Sequence, residues 1–259
     1  MLNNKKLFGL IGCPLEHSFS KVFFERKFAA EKIENAAYNN YPIENIGLLP
    51  ALLKQETDLC GFNVTVPYKE AVMPFLDKIS AVAAEVGAVN VVKIDRNKIE
   101  NPFLTGYNTD VYGFEKALLE TTLCKAVKQK NKLSALVLGT GGAAKSAGYV
   151  LKKLNIDYQF VSRQPKPNAL TYENLDKQIL QNNLLIINAT PLGMFPNVNT
   201  CPSIDYTAIG KGHFLFDLVY NPAETLFLKK GKEQGASVQN GCKMLCYQAE
   251  EAWRIWNLL

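Results

Sequence analysis

The stretch Leu133-Ser134-Ala135-Leu136-Val137-Leu138-Gly139-Thr140-Gly141-Gly142-Ala143-Ala144 decides the fold. Its apolar first half reads as a short strand, and the residues beyond the glycines read as a helix with Ala144, Ala147, Val150, Leu151 and Leu154 on one face. Gly139, Gly141 and Ala144 fit G-x-G-x-x-G/A in the strand–turn–helix setting that the pattern requires. Such glycines allow a tight turn and let an anionic pyrophosphate approach the free N–H groups of a helix start. Alone the motif is weak; in this setting dinucleotide binding is the better reading than a merely structural turn.

The next strand, at 157–162, decides between two dinucleotides. A ribose 2′-hydroxyl calls for a carboxylate at that strand's end, but the chain has Ser162-Arg163-Gln164-Pro165-Lys166 there, and Asp157 is at the wrong end. Arg163, helped by Lys166, suits a 2′-phosphate through charge-assisted bonds, so NADP(H) is expected. Further buried strands are expected at 184–190 and 214–220, ending at Pro191-Leu192-Gly193-Met194 and at Asn221-Pro222. In open α/β sheets ligands gather at such carboxyl ends. After Gly241 the pattern predicts a helix to 258 with Met244, Leu245, Ala249, Ala252, Trp253 and Trp256 as its apolar stripe, and Gln248 a turn away from Met244. That glutamine is either an exposed helix residue or one that reaches a ligand.

Toward the N-terminus, Gly61-Phe62-Asn63-Val64-Thr65-Val66-Pro67-Tyr68-Lys69-Glu70 alternates like a half-buried strand up to Val66. That period sets Asn63 and Thr65 on one face and Val64 and Val66 on the other. Pro67 suits the first position of a helix, which would leave Lys69 in the first turn, where the dipole disfavours a cation. These ten residues are equally compatible with a helix-start lysine in solvent. Strands are also expected at 7–11, 37–43 and 88–94, and helices at 21–33, 46–53, 77–85 and 111–119. Ser20 is the N-cap candidate for the first helix, and capping or turn-making would account for Ser18 as well. Asn90 interrupts an apolar run and needs partners, either in the core or in a ligand. Asp110 stands where a capping or first-turn carboxylate belongs. Strand–helix alternation throughout indicates α/β architecture.

At 259 residues the chain is long enough for one large domain or two modest ones, and its 47% apolar and 20% charged residues are those of an ordinary globular protein. A net charge of +5 suits an acidic small molecule, while the absence of long basic runs speaks against nucleic acid. Lys125, Lys128, Lys130 and Lys132 read as a solvated connector. Cys13, Cys60, Cys124, Cys201, Cys242 and Cys246 form no CxxC pair, and His17 and His213 are far apart, so no metal site is expected. The cysteines read as reduced core thiols, and with no signal-peptide core or membrane span the expected compartment is the cytoplasm.

Taken together these residues resemble the shikimate dehydrogenase family along essentially the whole chain. The resemblance is carried by Gly12-Cys13-Pro14-Leu15-Glu16-His17-Ser18-Phe19-Ser20, Asn63-Val64-Thr65-Val66-Pro67-Tyr68-Lys69, Gly87-Ala88-Val89-Asn90 and Asn108-Thr109-Asp110. It continues through Gly139-Thr140-Gly141-Gly142-Ala143, Asn188-Ala189-Thr190, Asp217-Leu218-Val219-Tyr220-Asn221-Pro222 and the run from Gly241 to Gln248. It implies reversible NADP-linked reduction of 3-dehydroshikimate to shikimate in aromatic amino acid biosynthesis, by a monomer or homodimer. It also implies two α/β domains around a cleft: a substrate domain at 1–108, a Rossmann-like NADP domain at 109–240, and a helix at 241–259 that returns to the substrate domain.

By the same resemblance Ser18, Ser20, Asn63, Thr65, Asn90, Asp110 and Gln248 hold the substrate, with Tyr220 nearby, and Lys69 and Asp110 are the catalytic pair. Lys69 would be the acid for reduction and the base for oxidation, oriented by Asp110, which also binds a substrate hydroxyl. Gly139, Gly141, Gly142, Ala143, Arg163, Lys166, Thr190, Leu218 and Gly241 form the cofactor side. Three residues depart from the family's habit: Lys21 in place of proline, Pro191 in place of serine, and Leu218 where a methionine often faces the nicotinamide. Two other readings are a dehydrogenase acting on quinate as well as shikimate, and a dinucleotide-binding sensor without catalysis.

Overall fold

The structure is a computed structural model that describes residues 5–16, 18–96, 102–121, 123 and 133–258. His17, Cys124 and the lysine-rich connector at 125–132 lie outside the described residues. The chain divides into two compact units, one running to Thr109 and resuming at Gln248, the other spanning Asp110–Tyr247.

The first unit is built on strands β1 (Lys6–Gly12), β2 (Ala36–Pro42), β3 (Leu59–Val64), β4 (Lys78–Ile79), β5 (Val91–Asp95) and β6 (Phe103–Tyr107). They form one mixed sheet in the order β2-β1-β3-β5-β6-β4. β1 runs parallel to β2 and β3, whereas β5 is antiparallel to both β3 and β6. The alternation within β1 divides two cores: Phe8 and Leu10 enter one, Leu7 and Ile11 the other. Helices α1 (Ser20–Ala30), α2 (Leu49–Gln55) and α3 (Ala81–Val86) complete the layers. Leu49 and Leu53 of α2 join Ile11, Phe62 and Val72, while Phe24 and Phe28 of α1 join Phe8 and Tyr38.

The second unit has strands β7 (Ser134–Leu138), β8 (Asp157–Ser162), β9 (Ala169–Thr171), β10 (Leu185–Asn188), β11 (Phe214–Asp217) and β12 (Ser237–Gln239). Their order is β12-β11-β10-β7-β8-β9, and every neighbouring pair is parallel. This is a doubly wound sheet whose winding reverses between β7 and β10. β10 and β11 are buried along their whole length, and their near-continuous apolar sequence is what burial on two faces demands. Helices α4 (Asp110–Leu119), α5 (Gly142–Lys153), α6 (Lys177–Asn182) and α7 (Leu226–Glu233) belong to it. A last helix, α8 (Cys242–Trp256), contains the dividing line between Tyr247 and Gln248. Beyond that line Ala249, Ala252, Ile255 and Trp256 enter the core of the first unit. Trp256 stacks on Phe8 with ring centroids 4.8 Å apart and donates from its indole to the Val92 carbonyl at 3.0 Å. A Cβ on Gly61 would lie 2.4 Å from that indole, so the packing itself requires glycine there.

Four expectations need correction. No helix starts at Pro67: the strand ends at Val64, residues 66–70 are mostly turns, and Val66 is 69% exposed instead of sharing a buried side with Val64. Tertiary partners hold this segment as a turn. The Lys69 carbonyl accepts from Val89 N–H, and the Tyr68 hydroxyl is bonded to the Ile43 carbonyl. The dipole argument for Lys69 therefore lapses. Ser20 is not the N-cap of α1; Phe19 occupies that place without a side-chain cap, and Ser20 opens the helix. The span 77–85 is divided, with Asp77 and β4 pairing to β6 and only Ala81–Val86 helical behind the Ser80 cap. Finally, the five described cysteines form no disulfide and are half-buried or exposed, with Cys13, Cys60 and Cys201 packed against the cores and not buried within them.

Candidate active site

In the first unit one hydrogen-bonded chain of buried polar side chains connects residues from five separate stretches of sequence. It begins at Tyr38 on β2, whose hydroxyl donates to Asn63 Oδ1 at 2.7 Å. Asn63, at the end of β3, donates from Nδ2 to the Asn90 carbonyl at 3.3 Å. Asn90 Nδ2 donates to Thr109 Oγ1 at 3.1 Å, and Asn90 Oδ1 accepts from the Thr109 N–H at 2.7 Å. Thr109 Oγ1 lies 3.4 Å from Gln248 Oε1 on α8. None of the five is more than 8% exposed.

Buried neutral polar groups of this kind hold their geometry because each lost bond would leave a desolvated donor or acceptor. The chain thus brings together Asn63, Asn90 and Gln248 from the expected set. Tyr38 and Thr109 were not on that list. Thr109 lies inside a quoted motif, but nothing local marks Tyr38, an aromatic residue in an ordinary strand.

Ser18 and Ser20 are half-buried, and Ser18 Oγ accepts from the Ser20 N–H at 3.3 Å. Burial pushes the Tyr38 hydroxyl well above the usual tyrosine range, opposed by hydrogen bonding from the Ser20 side chain. Thr65 follows β3, half-buried, with its N–H on the Ile11 carbonyl at 2.9 Å. Lys69 is half-buried on the turn beyond it. Such a wall offers directional N–H and O–H groups to a small polyhydroxylated or carboxylate ligand.

In the second unit Asp110 is the first residue of α4 and is buried. Gly139 has φ +115, which favours glycine, and a Cβ there would come within 3.1 Å of the Ala189 carbonyl. Gly141 differs: its φ of −81 suits any residue and a Cβ would meet nothing within 4 Å. Neither backbone nor packing demands that glycine, and the space it leaves lies at the N-terminus of α5, beside Gly142 and Ala143 in the first turn. Arg163 and Lys166 are exposed after β8, and Lys166 Nζ donates to Thr140 Oγ1 at 2.9 Å, on the glycine turn itself.

The ends of β10 and β11 are joined by a compact cluster. Asn188 Nδ2 donates to Asp217 Oδ1 at 2.9 Å, while Asn188 Oδ1 accepts from the Thr190 hydroxyl at 2.6 Å. Asp217 also accepts from Val219 N–H and from the Thr225 hydroxyl. Burial raises its carboxyl to about 7, against the pull of the Thr225, Val219 and Asn188 donors. Leu218 and Tyr220 come next in the chain, both half-buried, and Leu218 N–H donates to the Asn188 carbonyl at 2.9 Å. A Cβ at Gly241 would strike the Leu218 carbonyl at 2.2 Å, so that glycine keeps Leu218 in place. Asn188, Asp217 and Thr225 were not among the expected site residues. A lone carboxylate in the apolar run from Phe214 to Val219 was the signal that could have found this cluster.

An all-parallel doubly wound sheet with a glycine turn, in one chain with a mixed sheet walled by buried amides, defines a Rossmann-like α/β protein with an added ligand-binding unit. Residues 10–92 match the family model described as the shikimate dehydrogenase substrate binding domain. A shikimate dehydrogenase (NADP(+)) of Methanococcus maripaludis is 36% identical over 272 residues, covering 99% of this chain and 94% of that protein. The crystal structure of shikimate dehydrogenase from Aquifex aeolicus superposes with a TM-score of 0.83 at 32% identity, covering 98% of this chain and 92% of that one. The Thermus thermophilus enzyme, solved in complex with NADP(H) and shikimate, gives 0.81 at 30% identity, with 98% and 94% covered. This chain belongs to the shikimate dehydrogenase family.

Proposed function

We propose that this chain catalyses the reversible NADP(H)-linked interconversion of 3-dehydroshikimate and shikimate, holding substrate on the mixed-sheet unit and cofactor on the parallel-sheet unit. The observation that carries this reading is the buried chain Tyr38–Asn63–Asn90–Thr109–Gln248, found in a member of this family. Ser18, Ser20, Asn63, Thr65, Asn90 and Gln248 bind the substrate's oxygens, with Tyr220 beside them.

The second unit fits a phosphorylated dinucleotide. The space above Gly141 at the start of α5 suits a pyrophosphate, and the cations after β8 suit a 2′-phosphate. Gly139, Gly141, Gly142 and Ala143 would hold the former and Arg163 with Lys166 the latter. Thr190, Leu218 and Gly241 would face the remainder. When bound, NADPH supplies the hydride.

Reduction of a ring ketone leaves negative charge on oxygen. The Lys69 ammonium stabilises that charge and donates the proton, and in the reverse direction its amine takes the proton from the hydroxyl. Asp110 binds a hydroxyl of the substrate. The test is to follow NADPH absorbance with 3-dehydroshikimate, repeating with NADH and with quinate plus NADP+. Oxidation of NADPH, well above that of NADH and with shikimate preferred to quinate in the reverse direction, is expected. NADPH binding with no turnover would reduce the chain to a sensor.

A further inference from the structure

The buried hydroxyl of Tyr38 has a role in this site that the substrate-facing residues do not describe. Asn63 has an amide whose two ends are chemically opposite, and its orientation decides whether it offers a donor or an acceptor to a ligand. Its surroundings fix that orientation. The group 3.3 Å from one end is the Asn90 main-chain carbonyl, which can only accept, so the nitrogen must lie there. The oxygen then faces Tyr38, whose hydroxyl donates to it at 2.7 Å. The phenol on β2 therefore sets the amide at the end of β3, a segment of the expected substrate wall.

The ring that carries this hydroxyl is firmly held. It stacks on Phe24 with centroids 4.5 Å apart and planes 13° from parallel, and it lies in the core with Phe8, Phe28 and Trp256. Removing the oxygen alone leaves all of that packing in place. What changes is that Asn63 Oδ1, buried and 5% exposed as a residue, loses its donor. The amide then gains from turning over or tilting to find another partner, and its N–H is withdrawn from the ligand side.

We infer that Tyr38 is a positioning residue for the substrate: its hydroxyl fixes Asn63 with an N–H toward the ligand. The inference rests on the function proposed above and extends it to a residue that does not itself touch substrate. It contrasts with a packing role, which the ring alone would fill.

The test is Tyr38→Phe, measured for KM of shikimate, KM of NADP+, kcat and calorimetric affinity for shikimate, beside the wild type. The KM and dissociation constant for shikimate should rise about tenfold, the size of one lost buried hydrogen bond, with KM for NADP+ unchanged and the melting temperature lowered by no more than a few degrees. In an Asn63→Ala background the same substitution should change shikimate KM less than twofold, because its effect travels through that amide. That comparison also judges the inference if Tyr38→Phe alone proves poorly folded, since Asn63→Ala followed by Tyr38→Phe would then show the same loss of stability and no coupling in KM. Tyr38→Phe with shikimate KM unchanged, or with the KM values for shikimate and NADP+ raised together, overturns the inference. A wild type that does not turn over shikimate overturns the proposed function and this inference with it.

Discussion

At the strand ends of the mixed sheet, Asn63, Asn90 and Thr109 are neutral groups bonded to one another and to Gln248 of α8. At the strand ends of the parallel sheet, Asn188, Thr190 and Thr225 close around a carboxyl, Asp217, and the cations Arg163 and Lys166 stand outside in solvent. Neutral hydrogen bonds are directional and change little with pH, so the first arrangement suits recognition of hydroxyls by position. A helix start and exposed cations recognise charge and are less particular about its placing. Under the proposed function the two units divide two kinds of recognition, and that division can be tested by changing one side and watching the other.

The largest effect is expected at Lys69. Lys69→Ala should lower kcat by about 10²–10⁴-fold, the usual worth of a positioned acid–base group, while KM for both ligands moves only modestly. Near-wild-type turnover at saturating substrate would remove Lys69 from the chemistry. A rise in KM for NADP+ alone would instead place it with the charge-recognising side and break the division. Next in size is Arg163→Ala, expected to raise KM for NADP+ by roughly tenfold, as one charge-assisted bond is lost at an exposed site. Activity with NAD+ and KM for shikimate should stay as they were. An equal loss with both cofactors would mean that Arg163 does not read the 2′-phosphate.

The second unit was the more legible in sequence, and the reason is physical. Its strands are apolar runs, its turn is marked by Gly139 and Gly141, and β8 occupies the span 157–162 expected of it. All of these signals are local. The first unit's site depends on contacts between residues far apart in sequence: Tyr38 and Asn63 are separated by 25 positions and Thr109 and Gln248 by 139. Periodicity cannot report such contacts. The same holds for the error at Pro67, where the local pattern favoured a helix. Val89 and Ile43, distant in sequence, supply the partners that keep the Lys69 carbonyl and the Tyr68 hydroxyl in a turn. Asp217 was visible as a carboxylate in an apolar run, but its partners Asn188 and Thr225 became evident only once β10 and β11 lay side by side.

The expected effect furthest from turnover, one on stability alone, sharpens the contrast in pH response. The carboxyl of Asp217 is raised to about 7 from 3.8 by burial. Between those values the folded chain keeps a proton that the unfolded chain releases, so this group's contribution to stability is complete below about pH 4. It is lost as the pH rises through 7. Asp217→Asn imitates the protonated form: its Nδ2 can donate to Thr225 Oγ1 while its Oδ1 still accepts from Val219 N–H and Asn188 Nδ2. Urea unfolding at pH 5, 6, 7 and 8 should show the wild type losing about 2 kcal/mol relative to the variant between pH 5 and 7. All other titrating groups are common to both proteins and cancel in the difference. Parallel pH profiles would mean that Asp217 is ionised throughout, and its three donors, not burial, would then dominate. The neutral amides of the first unit should add nothing to this pH dependence, since Asn63, Asn90 and Gln248 have no proton to exchange in that range.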